Sequence, residues 1–175
     1  FYVNSKDNVK IEQLSSTNGT GEGLVCQGSG TKVDATECCF KKCRSSGMSV
    51  VDGAIVTATR CEFMESVYAC GVYCAGANTK VGLNDCKMHH NGGTGLYAYD
   101  HAVVDLHGTK TDIHSNKGCG IRAVSRAKVN IHLASQHNTS HDNVEEDRYQ
   151  YNGGSIANIN ADGTFTHVEE IDDDE

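Results

Sequence analysis

The chain has 175 residues, of which 38% are hydrophobic and 22% charged, with 19 Gly and 9 Cys but no Pro and no Trp. This length suits one domain that can bury a core without help from disulfides or metals. The absence of Pro excludes collagen-like and proline-rich chains, and no apolar run approaches the roughly 20 residues of a membrane-spanning helix. We therefore expect one globular domain and no membrane partner.

The formal net charge of −8 is concentrated at the C-terminal end. Residues 169–175 carry six of the 23 acidic residues, so the remaining 17 nearly balance the 15 Lys and Arg. The rest of the chain is close to neutral and has no basic stripe, which argues against a nucleic-acid partner. We interpret residues 169–175 as a solvated acidic tail.

The cysteine count bears on the cellular compartment. Nine Cys is an odd number, so at least one thiol cannot pair within the chain, and the cysteine spacings match no zinc-binding pair. We therefore expect no disulfide framework and a reducing intracellular compartment. Sequons at Asn18 and Asn138 would permit glycosylation if the chain were secreted.

Glycines that precede an apolar residue recur at nearly constant spacing. They are separated by 24, 24, 24 and 25 residues and lie at Gly23, Gly47, Gly71, Gly95 and Gly120. One and three residues after each Gly the side chain is apolar, with a mixed position between them. This period-two alternation is typical of a short strand with one buried face.

Two further short strands follow in each repeat. A column of valines marks the second strand, at Val33, Val56, Val81, Val104 and Val129, and a pair such as Cys38 and Phe40 marks the third. Strands this short cannot bury their inner faces alone, so successive coils must stack. The pattern predicts an all-β fold, a parallel β-solenoid of about six to seven coils with about 24 residues and three strands in each.

The ends of several coils carry a recognisable motif, Asn91-Gly92-Gly93-Thr94-Gly95-Leu96 and Asn116-Lys117-Gly118-Cys119-Gly120-Ile121. On this motif, residues 1 to 135 resemble the right-handed parallel β-helix, or pectate-lyase-like, superfamily. The resemblance implies a right-handed solenoid, and enzymes of this family act on polysaccharides at an exposed strand face. The chain departs from those enzymes because it lacks their clusters of acidic residues, and without Pro it cannot contain an Asp-Pro-His motif.

The repeat divides the chain into four parts. Residues 1–136 are predicted as the coils, 137–154 as a polar loop that breaks the repeat, 155–168 as C-terminal capping strands and 169–175 as the acidic tail. No comparable cap precedes Phe1, so we expect further coils or a domain ahead of it.

Cysteine and histidine columns offer two interpretations each. The inward cysteines are Cys26, Cys38, Cys61, Cys74 and Cys86; we interpret them as small core side chains rather than a stacked thiol site. His89 aligns with His114, and His107 with His132. Such imidazoles fit a transition-metal site or coupled titration, but exposed polar ladders explain them equally well, and we expect no metal and no cofactor.

Two groups of outward residues would suit ligand binding. The first strand offers an aromatic group with polar neighbours, Tyr73, Tyr97 and Tyr99 beside Asp100 and Arg122. The second strand offers a charged group that would suit a uronate carboxylate and proton abstraction, Lys80, Asp105 and Lys128. Strand propensity and cross-strand charge pairing also explain both groups.

These observations favour a non-catalytic binding or scaffold module, forming the C-terminal part of a larger protein and contacting a protein or a glycan with its flat faces. The alternative is a carbohydrate-active β-helix, a lyase or epimerase that acts on acidic polysaccharide through Tyr97, Lys80, Asp105 and Arg122. Fold alone does not decide between them.

Overall fold

The computed structural model describes residues 1–4, 6, 8–133, 137, 139–160 and 162–167. These residues form 21 β-strands, numbered β1 to β21 along the chain, and no helix. Each coil contributes one strand to each of three sheets, here called A, B and C. The predicted parallel β-solenoid, with three short strands per coil, is therefore confirmed.

Sheet A contains β1 (Tyr2–Val3), β4 (Leu24–Gln27), β7 (Met48–Val51), β10 (Val72–Ala75), β13 (Leu96–Tyr99), β16 (Ile121–Val124) and β19 (Arg148–Tyr151). Sheet B contains β2 (Asn8–Glu12), β5 (Lys32–Thr36), β8 (Ile55–Thr59), β11 (Lys80–Asn84), β14 (Val103–His107), β17 (Lys128–Ile131), β20 (Ser155–Ile159) and β21 (Phe165–His167). Sheet C contains β3 (Ser15–Thr17), β6 (Cys39–Lys41), β9 (Glu62–Met64), β12 (Lys87–His89), β15 (Asp112–His114) and β18 (Ser140–His141). All neighbouring strands are parallel except β20 and β21, which are antiparallel.

The predicted columns stack in register. The five valines of the second strand are successive Cα partners in sheet B, at Val33, Val56, Val81, Val104 and Val129. All five are buried, and in sheet C the fully buried rings of Phe40 and Phe63 stack with centroids 5.5 Å apart. The core therefore runs along the solenoid axis as stacks of similar side chains.

The thiols belong to this core. All nine cysteines are free and all but Cys39 are buried, which confirms the interpretation of the inward cysteines as core side chains. The Cys61 thiol donates to the carbonyl of Ala35 at 3.5 Å, and the Cys86 thiol donates to that of Ala58 at 3.3 Å. Burial raises the pKa of the Cys26 and Cys74 thiols to about 12, so both are protonated at neutral pH.

The repeated glycines mark a close approach between coils. A Cβ on Gly47, Gly71 or Gly95 would lie 2.8 Å from the carbonyl oxygen of the equivalent glycine on the next coil. The same carbonyl oxygens accept the backbone hydrogen bonds that join the coils, for example from Met48 N to Gly71 O at 3.0 Å. Any side chain at these positions would push the coils apart.

A ladder of asparagines, buried at Asn91 and Asn116, holds one corner of the solenoid. Asn91 Nδ2 donates to Asn116 Oδ1 at 2.9 Å, and Asn116 Nδ2 donates to Asn143 Oδ1 at 2.9 Å. Each Oδ1 also accepts from the backbone NH of the residue one coil earlier. The ladder ends at Ser66, whose NH donates to Asn91 Oδ1 but whose buried hydroxyl has no partner among the described residues.

The last coil differs from the expectation for residues 137–154. We expected a polar loop there, but the described part of this stretch contains β18 and β19, which continue sheets C and A. Its inward positions are polar: Arg148 pairs with Ile121, and Gln150 pairs with Ala123. Gln150 Oε1 accepts from the NH of Ile156 at 2.9 Å, so buried polar groups of this coil are paired.

Beyond it, β21 covers the edge of β20, in the stretch where capping strands were expected. The acidic tail and Asn138 lie outside the described residues. None of the described elements is an apolar helix long enough to cross a membrane.

We expect Gly71→Ala to lower the free energy of unfolding by about 2–3 kcal/mol, because the new methyl would overlap the Gly95 carbonyl and Asn91. Urea denaturation followed by circular dichroism measures this loss. The matched control is Gly19→Ala, since nothing lies within 4 Å of a Cβ at Gly19. Equal stability of the two variants would contradict a tight glycine column.

Candidate functional site

The tyrosines are concentrated on one side of the solenoid. Six of the seven lie in strands of sheet A, at Tyr2, Tyr73, Tyr97, Tyr99, Tyr149 and Tyr151. The seventh, Tyr68, lies in the turn before β10 and is 73% exposed. We call the outward side of sheet A, which includes Arg122, the tyrosine face.

One column of this face contains three tyrosines and one arginine, which lies between two of them. Tyr73, Tyr97, Arg122 and Tyr149 are successive Cα partners. The Cζ of Arg122 lies 5.2 Å from the centroid of the Tyr97 ring and 5.0 Å from that of Tyr149. The guanidinium is therefore held between two aromatic rings on the neighbouring coils, as in cation–π pairs.

The faces of the Tyr97 and Tyr149 rings point along the solenoid axis, towards Arg122 on the coil between them. Since Arg122 covers one face of Tyr97 and one of Tyr149 from the coil between them, the rings stand on edge. Tyr73 meets Tyr97 edge to face, with centroids 5.6 Å apart. Arg122 Nε is buried and has no hydrogen-bond partner among the described residues, so its position depends on the rings.

The phenols of Tyr73 and Tyr97 are neutral donors at physiological pH. Burial raises the pKa of Tyr73 and of Tyr97, and for Tyr97 the Arg122 cation opposes that rise. At the outer edge of the face, Tyr99 is 39% and Tyr151 54% exposed, and the small Val124 lies between them in register. The face thus combines exposed rings with hydroxyl groups.

A cavity of about 260 Å³ opens at the C-terminal end of the tyrosine face, lined by Cys119, Arg122, Glu145, Glu146 and Tyr149. The Cys119 thiol donates to Glu145 Oε2 at 3.3 Å. Burial and this carboxylate raise the pKa of Cys119 to about 11, so the thiol is protonated and a weak nucleophile.

The rim of the face is polar. Gln27 accepts from the Tyr2 hydroxyl at 2.6 Å and donates to Asp52 at 2.6 Å. Asp100, one of the predicted site residues, lies in an exposed turn with its carboxylate 3.0 Å from His101 Nδ1. Asp100 therefore borders the aromatic group and is not enclosed by it.

The structure separates the two predicted groups of site residues. Tyr73, Tyr97, Tyr99 and Arg122 lie together on sheet A, whereas the charged group lies on sheet B, at Lys80, Asp105 and Lys128. Within sheet B, Val103 lies between the two lysines in register.

Asp105 is held by polar neighbours other than lysine. Its Oδ1 accepts from Asn130 Nδ2 at 2.9 Å and lies 3.0 Å from His132 Nε2. These charged residues therefore do not share a face with Tyr97 and Arg122.

Sequence reasoning missed Tyr149 and Tyr151, because they fall in the stretch expected to be a loop. A signal was present, since Tyr149-Gln150-Tyr151 copies the spacing of Tyr97-Ala98-Tyr99. The register then places Tyr149 beside Arg122 and Tyr151 beside Val124.

A comparison with protein families agrees with this geometry. The family described as right handed beta helix region matches residues 1–140. The chain belongs to this β-helix family. No curated protein and no solved structure gives a significant match. The family membership thus establishes the fold, and any activity of this β-helix has to be argued from its own side chains.

A second feature of the β-helix is a histidine column on sheet C. The rings of His89, His114 and His141 are nearly parallel, with centroids 5.1 and 5.4 Å apart. Carboxylates flank the column: His89 Nε2 lies 2.8 Å from Glu62, and His141 Nε2 lies 3.0 Å from Asp112. On sheet B, His107 and His132 form another stack, with centroids 4.2 Å apart.

Position in the column decides how each imidazole titrates. Burial lowers the pKa of His114, and the neighbouring His89 and His141 lower it further against the opposing effect of Asp112. The hydrogen bond with Asp142, and then Asp112, raise the pKa of His141. Neighbouring histidines of one column therefore shift in opposite directions.

We expect Arg122→Gln to raise the pKa of the Tyr97 phenol, because removal of the cation leaves the phenolate without its neighbouring positive charge. NMR titration of the ring Cζ resonance measures the change. Arg44→Gln is the control, since the Arg44 guanidinium lies over Tyr68 at 5.6 Å. An unchanged or lowered Tyr97 pKa in Arg122→Gln would argue against the ring–guanidinium contact.

We expect His114→Gln and His141→Gln to change the pH dependence of stability in opposite directions. The folded-state pKa of His114 is lowered, so its imidazole favours folding above its unfolded pKa of about 6.5, and this contribution disappears as pH falls. The folded-state pKa of His141 is raised, so its contribution is present below about 6.5 and disappears as pH rises. Urea denaturation between pH 5 and 8 distinguishes the two, and slopes of one sign would contradict the assignment.

Proposed function

We propose that this β-helix is a non-catalytic binding module that contacts a protein partner through its tyrosine face. The observation that carries the proposal is the composition of the described strands of sheet A. They hold six tyrosines and one outward arginine, Arg122, and none of their residues is Asp, Glu, His or Lys.

The tyrosine face has the make-up of a protein-binding surface. Tyr and Arg are enriched in the centres of protein interfaces, where charged Lys, Glu and Asp are depleted. Small apolar side chains, Val51, Ala75 and Val124, lie in the same outward column as Tyr99 and Tyr151. The carboxylates of Asp52 and Asp100 lie at the margin and would form a polar rim.

The ring orientations favour a protein over a glycan. A sugar ring stacks on an open aromatic face, but Arg122 already covers faces of Tyr97 and Tyr149. Rings that stand on edge present their rims and hydroxyls outward, and these groups suit the mixed apolar and hydrogen-bonding surface of a protein.

The positions of the ionisable groups support a binding role over catalysis. General acid–base chemistry needs titratable groups within hydrogen-bond reach of one substrate atom. On the tyrosine face, Asp52 and Asp100 lie in the corner turns and contact Gln27 and His101. Glu145 and Glu146 line the cavity at its C-terminal end, where Glu145 accepts from the Cys119 thiol. Lys80 and Asp105, the other residues of the lyase hypothesis, lie on sheet B.

A photo-crosslinking side chain placed at Tyr99 tests the proposal. We expect it to attach a partner protein in extracts, whereas the same side chain at Thr57, on the outward side of sheet B, should not. With that partner purified, we expect the double variant Tyr99→Ser, Tyr151→Ser to bind more than about tenfold more weakly, since exposed aromatic anchors dominate such interfaces. Isothermal titration calorimetry measures the affinity.

Three results would count against this function. Equal crosslinking from Tyr99 and Thr57 would remove the preference for the tyrosine face. Unchanged affinity of the double variant would show that the partner binds elsewhere. Release of unsaturated sugars from pectate or alginate would establish a polysaccharide lyase instead.

A further inference from the structure

Two histidines at one corner of sheet C bring ring nitrogens together. His89 ends β12, and His90 follows it in the turn with φ of 56°. Their Nδ1 atoms are 2.8 Å apart, and the rings are nearly perpendicular, at 84°. His90 is exposed, whereas the His89 side chain is only 13% exposed, so solvent reaches the pair from the side of His90.

The carboxylate of Glu62 determines which nitrogen of His89 is free. Its Oε1 lies 2.8 Å from His89 Nε2 and can only accept, so Nε2 carries the proton. In the neutral ring, the Nδ1 of His89 then has a lone pair that is directed towards His90 and accepts from it. A carboxylate that holds the far nitrogen of a histidine is the usual outer-shell partner of a metal ligand.

We propose that His89 and His90 form a two-imidazole site for Cu(II). Two nitrogens about 2.0–2.1 Å from a divalent ion lie about 2.8–3.0 Å apart at a right angle and about 3.3–3.4 Å apart at a tetrahedral angle. The observed 2.8 Å, the length of the hydrogen bond between the two metal-free rings, equals the separation of neighbouring positions in a square plane. Cu(II) prefers this geometry and binds nitrogen ligands most tightly among the divalent first-row metals.

Binding of Cu(II) requires a change in the position of one proton, that of His90, and no net loss of protons from the pair. In the metal-free pair, the His90 Nδ1–H donates to His89 Nδ1. For Cu(II) to bind, the His90 proton would move to its other nitrogen, Nε2, and the hydrogen bond between the rings would open. Both Nδ1 lone pairs could then point at the metal, beside the line that joins the two nitrogens. Both imidazoles stay neutral, and Glu62 keeps its hydrogen bond with His89. Among the described residues no three His, Cys, Asp or Glu side chains are grouped to hold a metal, so other coordination positions would be taken from solution.

The neighbouring corners show why this pair differs from the rest of the histidine column. On the next coil, His114 Nδ1 lies 3.0 Å from the hydroxyl of Ser115, and on the following coil His141 Nδ1 lies 2.9 Å from Asp142. Ser115 has φ of 55°, almost that of His90, so serine fits this backbone position. In parallel rings such as His107 and His132, the nitrogen lone pairs lie in two parallel planes, so they do not converge on one ion.

Titration with a copper(II) salt, followed by electron paramagnetic resonance and calorimetry, tests the site with variants that the chain itself suggests. We expect one Cu(II) per chain, coupled to two imidazole nitrogens. His90→Ser should lose this signal. Glu62→Gln should weaken binding by roughly 10–100-fold, as the loss of an outer-shell carboxylate does. Ser115→His, which copies the pair onto the next coil, should bind a second equivalent.

The matched control is His107→Asn, since Asn84 occupies the equivalent position on the preceding coil. This variant should bind Cu(II) as the unchanged chain does, and circular dichroism checks that each variant is folded. Equal Cu(II) affinity of folded His90→Ser, or a loss in His107→Asn instead, would overturn the proposal. Zn(II) binding as tight as Cu(II) binding would overturn the square-planar assignment.

Discussion

Backbone contact between successive coils is the constraint on which the rest of this β-helix depends. The carbonyl oxygen of Gly71 accepts a hydrogen bond from Met48, and it lies only 2.8 Å from the place where Gly47 would carry a Cβ. Hydrogen-bonded strands are about 4.8 Å apart, so every side chain has its equivalents on the neighbouring coils at about this distance. Each side chain must therefore pack against the equivalent side chains of the coils above and below it.

Inside the solenoid, the same spacing favours side chains that stack with their own kind. Aromatic rings stack at Phe40 and Phe63, and asparagine amides donate to one another along the corner that includes Asn116. Buried thiols fill smaller positions and find backbone carbonyls as acceptors. In the last coil the inward positions become polar, and side chains such as Gln150 pair with the backbone, which lets the core end without exposing apolar surface.

On the outside, the spacing creates surfaces that no single coil holds. Arg122 is clamped because Tyr97 and Tyr149 stand on the coils on either side of it, and a rigid ladder keeps all three in place. Such pre-organisation lowers the entropy that a partner must overcome on binding. On sheet C, stacking alone would separate the histidine nitrogens, and only the turn at His90 brings two of them together. The tyrosine face on sheet A and the paired histidines at the corner of sheet C thus both result from the stacking of coils and the turns between their strands.

The repeat of Gly23 through Gly120 and the valine columns predict the coil period, the three strands and the inward face, because each depends on local alternation that recurs along the chain. The same reasoning failed for residues 137–154. There the inward positions are occupied by Arg148 and Gln150, so the apolar alternation that indicates a strand is absent. It also grouped Lys80 and Asp105 with Tyr97 and Arg122, although a turn sends them to a different sheet. The sequence by itself determined the solenoid and its interior. Which outward side chains meet was decided only by the tertiary structure, because the corner turns set the direction of each strand and the register between coils sets its neighbours.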